Sequence, residues 1–322
     1  MDKINPKIIF IISAGHSGST LLDLLVGTLP NTISTGELTW LPWQVWRDGK
    51  KCNMTPKQDI CTCLKTFKEC PVWGKVLQRI SVETSQNILS DPLNYDISFL
   101  RNKNYTGKRS FKLGILRRIF EYSIIKNKKF IFNSILRGQM SAMQNTLILY
   151  DSIAKTLKIP FIVDSSKDIL RAYAIWKQRP SDIKVILLYK DAKSYAASGR
   201  HWGAAEPVEK HLKNWLSIYK NRFIPILKKM NTGTLIVKYD NLVKQPDKTR
   251  QIIAQFIGSP YTDGDWQIDT QNMHLVAGNP MRFQGKVDIK YDDRWRLELT
   301  KDEQMLAEYY ENRMVRLMSK FI

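Results

Sequence analysis

Gly15, His16, Ser17, Gly18, Ser19 and Thr20 bring small side chains, hydroxyls and one imidazole into a single short segment. Small residues let backbone N–H groups approach an anion closely. A helix starting at Thr20 adds the positive end of its dipole, so the turn has the chemistry of a phosphate cradle. The same serines and glycines also suit an ordinary helix cap. No Lys follows Gly18, so the pattern G-x-x-x-x-G-K-[ST] is absent, and with it the phosphate-binding Lys of magnesium-dependent nucleotide enzymes; G-x-G-x-x-G is absent too. A second handle lies far along the chain in KVILLYKDAKSYAASGRHW, where Lys190 precedes Ser198 and Arg200. Lys190 and Ser198 converge on one anion only if Lys190 ends a strand and the next residues start a helix that folds back over the sheet. One cradle plus one separate basic handle points to a ligand with phosphates at two positions.

Placing these residues requires strands that end at them. Lys7 to Ser13, Ile159 to Asp164, Lys184 to Tyr189 and Leu235 to Tyr239 are short apolar runs bounded by turn or charged residues, which reads as central parallel strands covered on both faces. Helical patterns cover Thr20 to Thr28, Ile135 to Thr156, Ile169 to Lys177, Ala192 to Arg200, Val208 to Lys229, Pro246 to Ile257 and Lys301 to Ser319. Strand and helix alternate, so the expected class is α/β, a doubly wound, mainly parallel sheet flanked by helices. The expectation is a single domain over 1–322, with about 43–155 forming an inserted, mostly helical subdomain on the acceptor side of the cleft.

The chain has 322 residues, 43% hydrophobic and 25% charged, enough to bury a large core, which excludes disordered and fibrous classes. Fifty Lys and Arg against 30 Asp and Glu give a formal net charge of +20, which calls for an anionic partner: nucleic acid, a membrane surface or a phosphorylated ligand. The apolar run Ile8 to Ile12 is strand-sized, far short of a membrane span, and lacks the shape of a signal peptide. A cytoplasmic location is expected.

With both handles in view, the chain resembles the sulfotransferases that use 3′-phosphoadenosine 5′-phosphosulfate (PAPS). HSGSTLL (His16 to Leu22) is similar to the family's R-S-G-[ST]-T-L element for the 5′-phosphosulfate, and KDAKSYAAS (Lys190 to Ser198) to its R-D-x-R-x-x-x-x-S element for the 3′-phosphate. His16 stands where the family has Arg, and Lys190 and Lys193 replace two more Arg residues, keeping charge without the bidentate fork. STGELTWLP (Ser34 to Pro42) resembles the G-E-x-x-x-x-P stretch of tyrosylprotein and several bacterial sulfotransferases, where the Glu is the catalytic base. IVDSSKD places Lys167 where the family carries a Lys on the transferring group. VKYDNLVKQP (Val237 to Pro246) and HLVAGNPMRFQGK (His274 to Lys286) resemble later family elements, the second a cofactor-closing loop. Roughly residues 75 to 155 match no motif.

The resemblance implies sulfuryl transfer from PAPS to a hydroxyl acceptor, a carbohydrate or glycolipid, leaving adenosine 3′,5′-bisphosphate (PAP), with no metal required. It implies Glu37 as base, Lys167 as stabilising charge, and His16 as a donor to the phosphosulfate. Gly15, His16, Ser17, Gly18, Ser19, Thr20, Lys190, Ser198, Arg282 and Lys286 are the implied cofactor contacts. A nucleotide kinase of similar fold is the alternative enzyme, disfavoured by the missing loop Lys. A nucleic-acid-binding protein is the alternative from another class, and no recognisable binding module supports it.

Cys52, Cys61, Cys63 and Cys70 fall within nineteen residues as C-x8-C-x-C-x6-C. A cytosolic setting argues against disulfides, and the spacing lacks the C-x2-C knuckle of common zinc sites, so no metal ligand is assigned. A similar Cys-rich stretch followed by C-P-x-W occurs in bacterial sulfotransferases, which implies a local structural role; zinc binding and pairing stay open. His201, His211 and His274 show no ligand-like spacing. Residues 101 to 130 carry ten Lys or Arg and one acid, Glu121, and LGILRRIFEYSIIKNKKF has amphipathic spacing, so this stretch reads either as a solvated face or as a peripheral contact with a membrane or anionic glycan.

Overall fold

The computed structural model describes residues 5–48, 60–100, 111–203, 206–264 and 266–321. Cys52 and the basic residues 101, 103, 108 and 109 lie outside them. Five strands form the central sheet: β1 (Lys7–Ile12), β2 (Thr32–Ser34), β3 (Phe161–Asp164), β4 (Ile183–Tyr189) and β5 (Thr234–Lys238). Their order is β2-β3-β1-β4-β5 and every pairing is parallel, with Ile9 opposite Val163 on one side and Lys184 on the other.

The run Ile8 to Ile12 is apolar at every position because both faces of β1 are covered. Ile8, Phe10 and Ile12 join one buried cluster with Val185 and Leu187 of β4, while Ile9 and Ile11 join the other with Ile186 and Leu188. Burying each such side chain contributes about 1.5–3 kcal/mol, which fixes the centre of the sheet. β2 escapes sequence reading because it is three residues long, Thr-Ile-Ser, and carries no pattern. A short antiparallel pair, β6 (Ile268–Asp269) with β7 (Lys286–Val287), lies beyond the sheet.

Between β2 and β3 the chain forms helices Trp73–Thr84, Phe111–Ile125, Lys129–Arg137 and Met140–Leu157. The helix expected over Ile135 to Thr156 is two: Lys129–Arg137 stops at Gly138, and a new helix begins at Met140. The pattern over Val208 to Lys229 is likewise interrupted. A π-turn at Tyr219–Phe223 joins Val208–Ile218 to Ile224–Met230, and Pro225 in the first turn of the latter withholds the N–H that would continue the regular ladder.

The helices after β2 are tied to the carboxyl end of β3. Tyr150 Oη donates to Asp164 Oδ2 at 2.6 Å, and Arg117 Nη2 meets Asp168 Oδ1 at 2.8 Å. The fully buried Arg171 donates from Nη1 to Ile97 O at 2.5 Å. The chain leaves β1 toward the β2 edge and later leaves β3 toward β4, on the opposite side of β1. Connections diverge there, which in open α/β sheets opens a crevice at the strands' carboxyl ends.

Candidate functional site

The segment after β1 forms the floor of that crevice. Gly18 caps helix Ser19–Val26 with φ 87°, and an added Cβ there would come within 2.3 Å of the Tyr239 ring, so the position is closed to any other residue. Gly15 has open space where its Cβ would stand, leaving the backbone accessible. His16, with φ 61°, is exposed. Tyr219 pins the segment from below: its Oη accepts from Ala14 N–H at 3.0 Å and donates to Leu188 O at 2.7 Å, joining the ends of β1 and β4. The π-turn begins at that tyrosine, and single π-turns often mark functional sites.

The segments after β2 and β3 meet across the cradle. Thr35 N–H donates to Val163 O at 3.2 Å and Ser165 N–H to Gly36 O at 3.0 Å. Gly36 has φ 73° and lies against the backbone of Ala277, a close approach only glycine allows. Beyond it, Glu37 Oε1 is 2.5 Å from Lys167 Nζ, and Glu37 Oε2 accepts from Trp40 Nε1 at 3.1 Å. Lys167 Nζ also lies 3.4 Å from Ser19 Oγ, so one ammonium spans the acid and the cradle. Lys167 has φ 60°; non-glycine residues held in the left-handed region gather at functional sites.

At the carboxyl end of β4, Lys190 is 5% exposed and donates from Nζ to Ser198 Oγ at 2.9 Å. Burial pushes its ammonium below the ordinary lysine value, against the opposing pull of Asp292, whose Oδ2 lies 3.7 Å away. Arg294 forks onto the same Asp292 with two contacts of 2.8 Å and is the first cause holding that carboxyl down, at about 2. His16 stands between the two halves. Partial desolvation of its ring, exposed on one side, lowers its pKa first; the charges of Lys167, His211 and Lys190 lower it further and Glu37 opposes them, which favours the neutral imidazole.

The structure thus brings together Ser19, Glu37 and Lys167, and separately Lys190 and Ser198, with His16 feeling both sets. Thr20, 7% exposed, is turned to another task, its Oγ1 accepting from Asn279 N–H at 3.1 Å. Arg282 is buried, 1% exposed, and donates to Leu275 O, Val276 O and Ile60 O at 3.0, 3.1 and 3.4 Å. It ties its own segment together and joins it to Ile60. Lys286 is exposed in β7, opposite Asp269. Arg200 is spent on Glu303, at 2.5 and 2.7 Å.

Sequence reasoning missed Asp23, which receives hydrogen bonds from Ser34 Oγ at 2.5 Å and Ser165 Oγ at 2.6 Å and so joins helix Ser19–Val26 to the ends of β2 and β3. Its signal was present: one acid inside the otherwise apolar STLLDLLV. It also missed Asp292 with Arg294, and Tyr219. His274, which has no ligand-like spacing in the sequence, lies with Nδ1 3.2 Å from Cys70 Sγ and 3.6 Å from Cys61 Sγ.

No family model and no curated protein matches this chain. Among solved structures it is similar to the sulfotransferase domain from the Synechococcus PCC 7002 olefin synthase, at 19% identity and TM-score 0.46 over 96% of each chain. It is similar to the sulfotransferase domain from the curacin biosynthetic pathway at 15% identity and TM-score 0.46, over 96% of this chain and 98% of that one. It is also similar to sulfotransferase STF1 from Mycobacterium tuberculosis H37Rv at 12% identity and TM-score 0.42, over 96% and 77%.

Proposed function

We propose that the chain transfers a sulfuryl group from PAPS to a hydroxyl acceptor. The observation that carries the reading is the arrangement at the crevice: a glycine-serine cradle without the kinase Lys, a Glu37–Lys167 pair reaching Ser19, and a buried Lys190–Ser198 pair at the neighbouring strand end. The two basic handles fit the two phosphate positions of PAPS. Space above Gly15 and the hydroxyl of Ser19 suit the 5′-phosphosulfate, and Lys190 with Ser198 suits the 3′-phosphate, while Ser17 is buried behind the turn.

In the reaction the acceptor oxygen forms a bond to sulfur as the bond from sulfur to the 5′-phosphate oxygen breaks. The acceptor proton passes to Glu37 and PAP leaves with the bond's electron pair. Lys167, between Glu37 and Ser19, stabilises charge on the transferring group and the leaving oxygen. Its contact with Glu37 also holds the carboxylate aimed before the acceptor arrives. His16, neutral at rest, donates to the anion and gains a proton more readily once the anion is bound.

Between a free carbohydrate and a glycolipid as acceptor, one exposed surface favours the glycolipid. Helix Phe111–Ile125 exposes Phe111, Ile115, Ile119 and Tyr122, one stripe at spacings of four, four and three, with Lys112, Arg118 and Lys126 close in sequence. An apolar stripe edged by cations suits an anionic membrane surface. Vesicle sedimentation with anionic and neutral lipids tests this: equal or absent binding to both rejects the lipid-linked acceptor and leaves a soluble one.

Calorimetry with PAP in magnesium-free buffer tests the donor. Binding is expected; absence of binding overturns the reading, and binding that requires ATP and magnesium replaces it with a kinase. Glu37→Gln is expected to keep PAP affinity while turnover falls roughly 10²–10⁴-fold. Unchanged turnover removes Glu37 as the base.

A further inference from the structure

Cys61, Cys63, Cys70 and His274 each offer one ligand atom, and all four atoms lie within 4.8 Å of one another. Cys61 Sγ and Cys70 Sγ are 3.6 Å apart, and His274 Nδ1 lies 3.2 and 3.6 Å from Cys70 and Cys61. A zinc ion with Zn–S of about 2.3 Å and Zn–N of about 2.0–2.1 Å sets tetrahedron edges of about 3.8 Å between sulfurs and about 3.6 Å between sulfur and nitrogen. Three of the six edges are thus already near zinc dimensions.

The surrounding chain holds the donors in place. Cys61 and Cys63 sit on a tight turn closed by Cys61 N–H to Lys65 O at 3.0 Å and Leu64 N–H to Cys61 O at 2.9 Å, with Leu64 at φ 63°. Cys70 stands just before helix Trp73–Thr84, and its sulfur accepts from Trp73 N–H at 3.4 Å. The Trp73 indole N–H donates to His274 O at 2.6 Å, and Thr62 Oγ1 donates to Met273 O and accepts from Leu275 N–H, so both neighbours of His274 are anchored. Cys61 and Cys70 are buried and Cys63 and His274 half-buried, so three soft donors and an imidazole nitrogen converge from segments far apart in the chain. A Cys61–Cys70 disulfide would leave Cys63 and His274 without a purpose.

We propose that Cys61, Cys63, Cys70 and His274 bind a structural zinc ion. Three thiolates and one imidazole close the tetrahedron, leaving no position for substrate, and soft donors in that geometry select zinc over magnesium or calcium. The ion works at a distance from its ligands. Two residues after His274, Val276 N–H donates to Thr35 O at 2.9 Å, and Ala277 O accepts from Glu37 N–H at 3.4 Å. Zinc therefore staples the Cys-rich turn to the segment that braces the loop carrying Glu37. The donors alone support the site, so it stands whether or not the chain transfers sulfuryl groups.

The test is metal analysis of full-length protein purified without chelators. One zinc per chain is expected by mass spectrometry, and X-ray absorption of that wild-type protein should show three sulfur and one nitrogen ligands. Cobalt loading should give thiolate charge-transfer bands and tetrahedral ligand-field absorption. His274→Ala should weaken zinc binding beyond the roughly 10–100-fold that losing an outer-shell partner costs, His274→Cys should restore it, and Cys52→Ser should leave it unchanged. Removing zinc should speed hydrogen exchange at 35–38 and 273–282, reversibly. Metal-free protein with a Cys61–Cys70 disulfide, an iron–sulfur chromophore, or zinc lost in Cys52→Ser but kept in His274→Ala would overturn the assignment.

Discussion

Asp23→Asn should reverse its effect on stability between acid and alkaline pH. Asp23 is fully buried, and burial pushes its carboxyl from 3.8 up to about 7; Ser165 and Ser34 pull back by hydrogen bonding, while the nearby Asp164 adds to the rise. A folded-state value above the unfolded one means the fold prefers the protonated acid. Its stabilising contribution is complete below about pH 4 and is lost as pH rises through about 7. The rise of about three pH units, at about 1.4 kcal/mol each, sets the loss at on the order of 4 kcal/mol. An amide cannot ionise, so the variant escapes that loss. It gives up at most one hydroxyl contact, about 0.5–1.5 kcal/mol, because its NH2 cannot accept from Ser34 or Ser165. Chemical denaturation of both proteins at pH 4, 5, 6, 7 and 8 is the assay. The variant should be equal or slightly weaker at pH 4, equal or slightly stronger at pH 5, where the wild type has already lost part of the contribution, and stronger by a few kcal/mol at pH 8. His16 and His211, both lowered by burial, and Asp292 titrate in both proteins and cancel in the difference. Parallel curves across this range would refute the idea that a protonated Asp23 joins helix Ser19–Val26 to the ends of β2 and β3.

Ser198→Ala removes the hydroxyl at 2.9 Å from Lys190 Nζ; losing a hydrogen bond to a charged group costs about 1.5–3 kcal/mol, so calorimetry should show PAP affinity falling roughly 10- to 100-fold with the melting temperature little changed. Tyr219→Phe strands Ala14 N–H and weakens the hold on Leu188 O, and denaturant titration should read a loss of about 1–3 kcal/mol. His16 binds its proton weakly in the free protein, and an anion beside it reverses that preference. PAP affinity should therefore tighten as pH falls below 6.5, and His16→Asn should flatten the part of the profile that the ligand's own phosphates do not account for. A profile identical in wild type and variant would remove His16 from the anion site.

What could be read from sequence divides along a physical line. β1 and β4 were legible because strands covered on both faces need apolar residues at every position, a local property. The cradle was legible because close backbone approach demands glycine and serine in consecutive places. Lys190 and Ser198 were legible because a strand end followed by a helix fixes their separation. Asp23, Tyr219 and His274 act through partners far along the chain, and no local pattern encodes such a partner. Cys70 and His274 are 204 residues apart, so a spacing rule that searches for ligands within a few residues sees four clustered thiols and misses the imidazole. Arg282 shows the converse. In sequence it is a cation beside glycines in a loop, and only the fold shows three carbonyls already facing its guanidinium. That burial shows Arg282 at work beside the site: it fixes Leu275 and Val276, and Val276 carries the brace to Thr35 while the next residue, Ala277, carries it to Glu37. The segment from His274 to Arg282 thus positions the Glu37 loop through its backbone, whichever acceptor meets it.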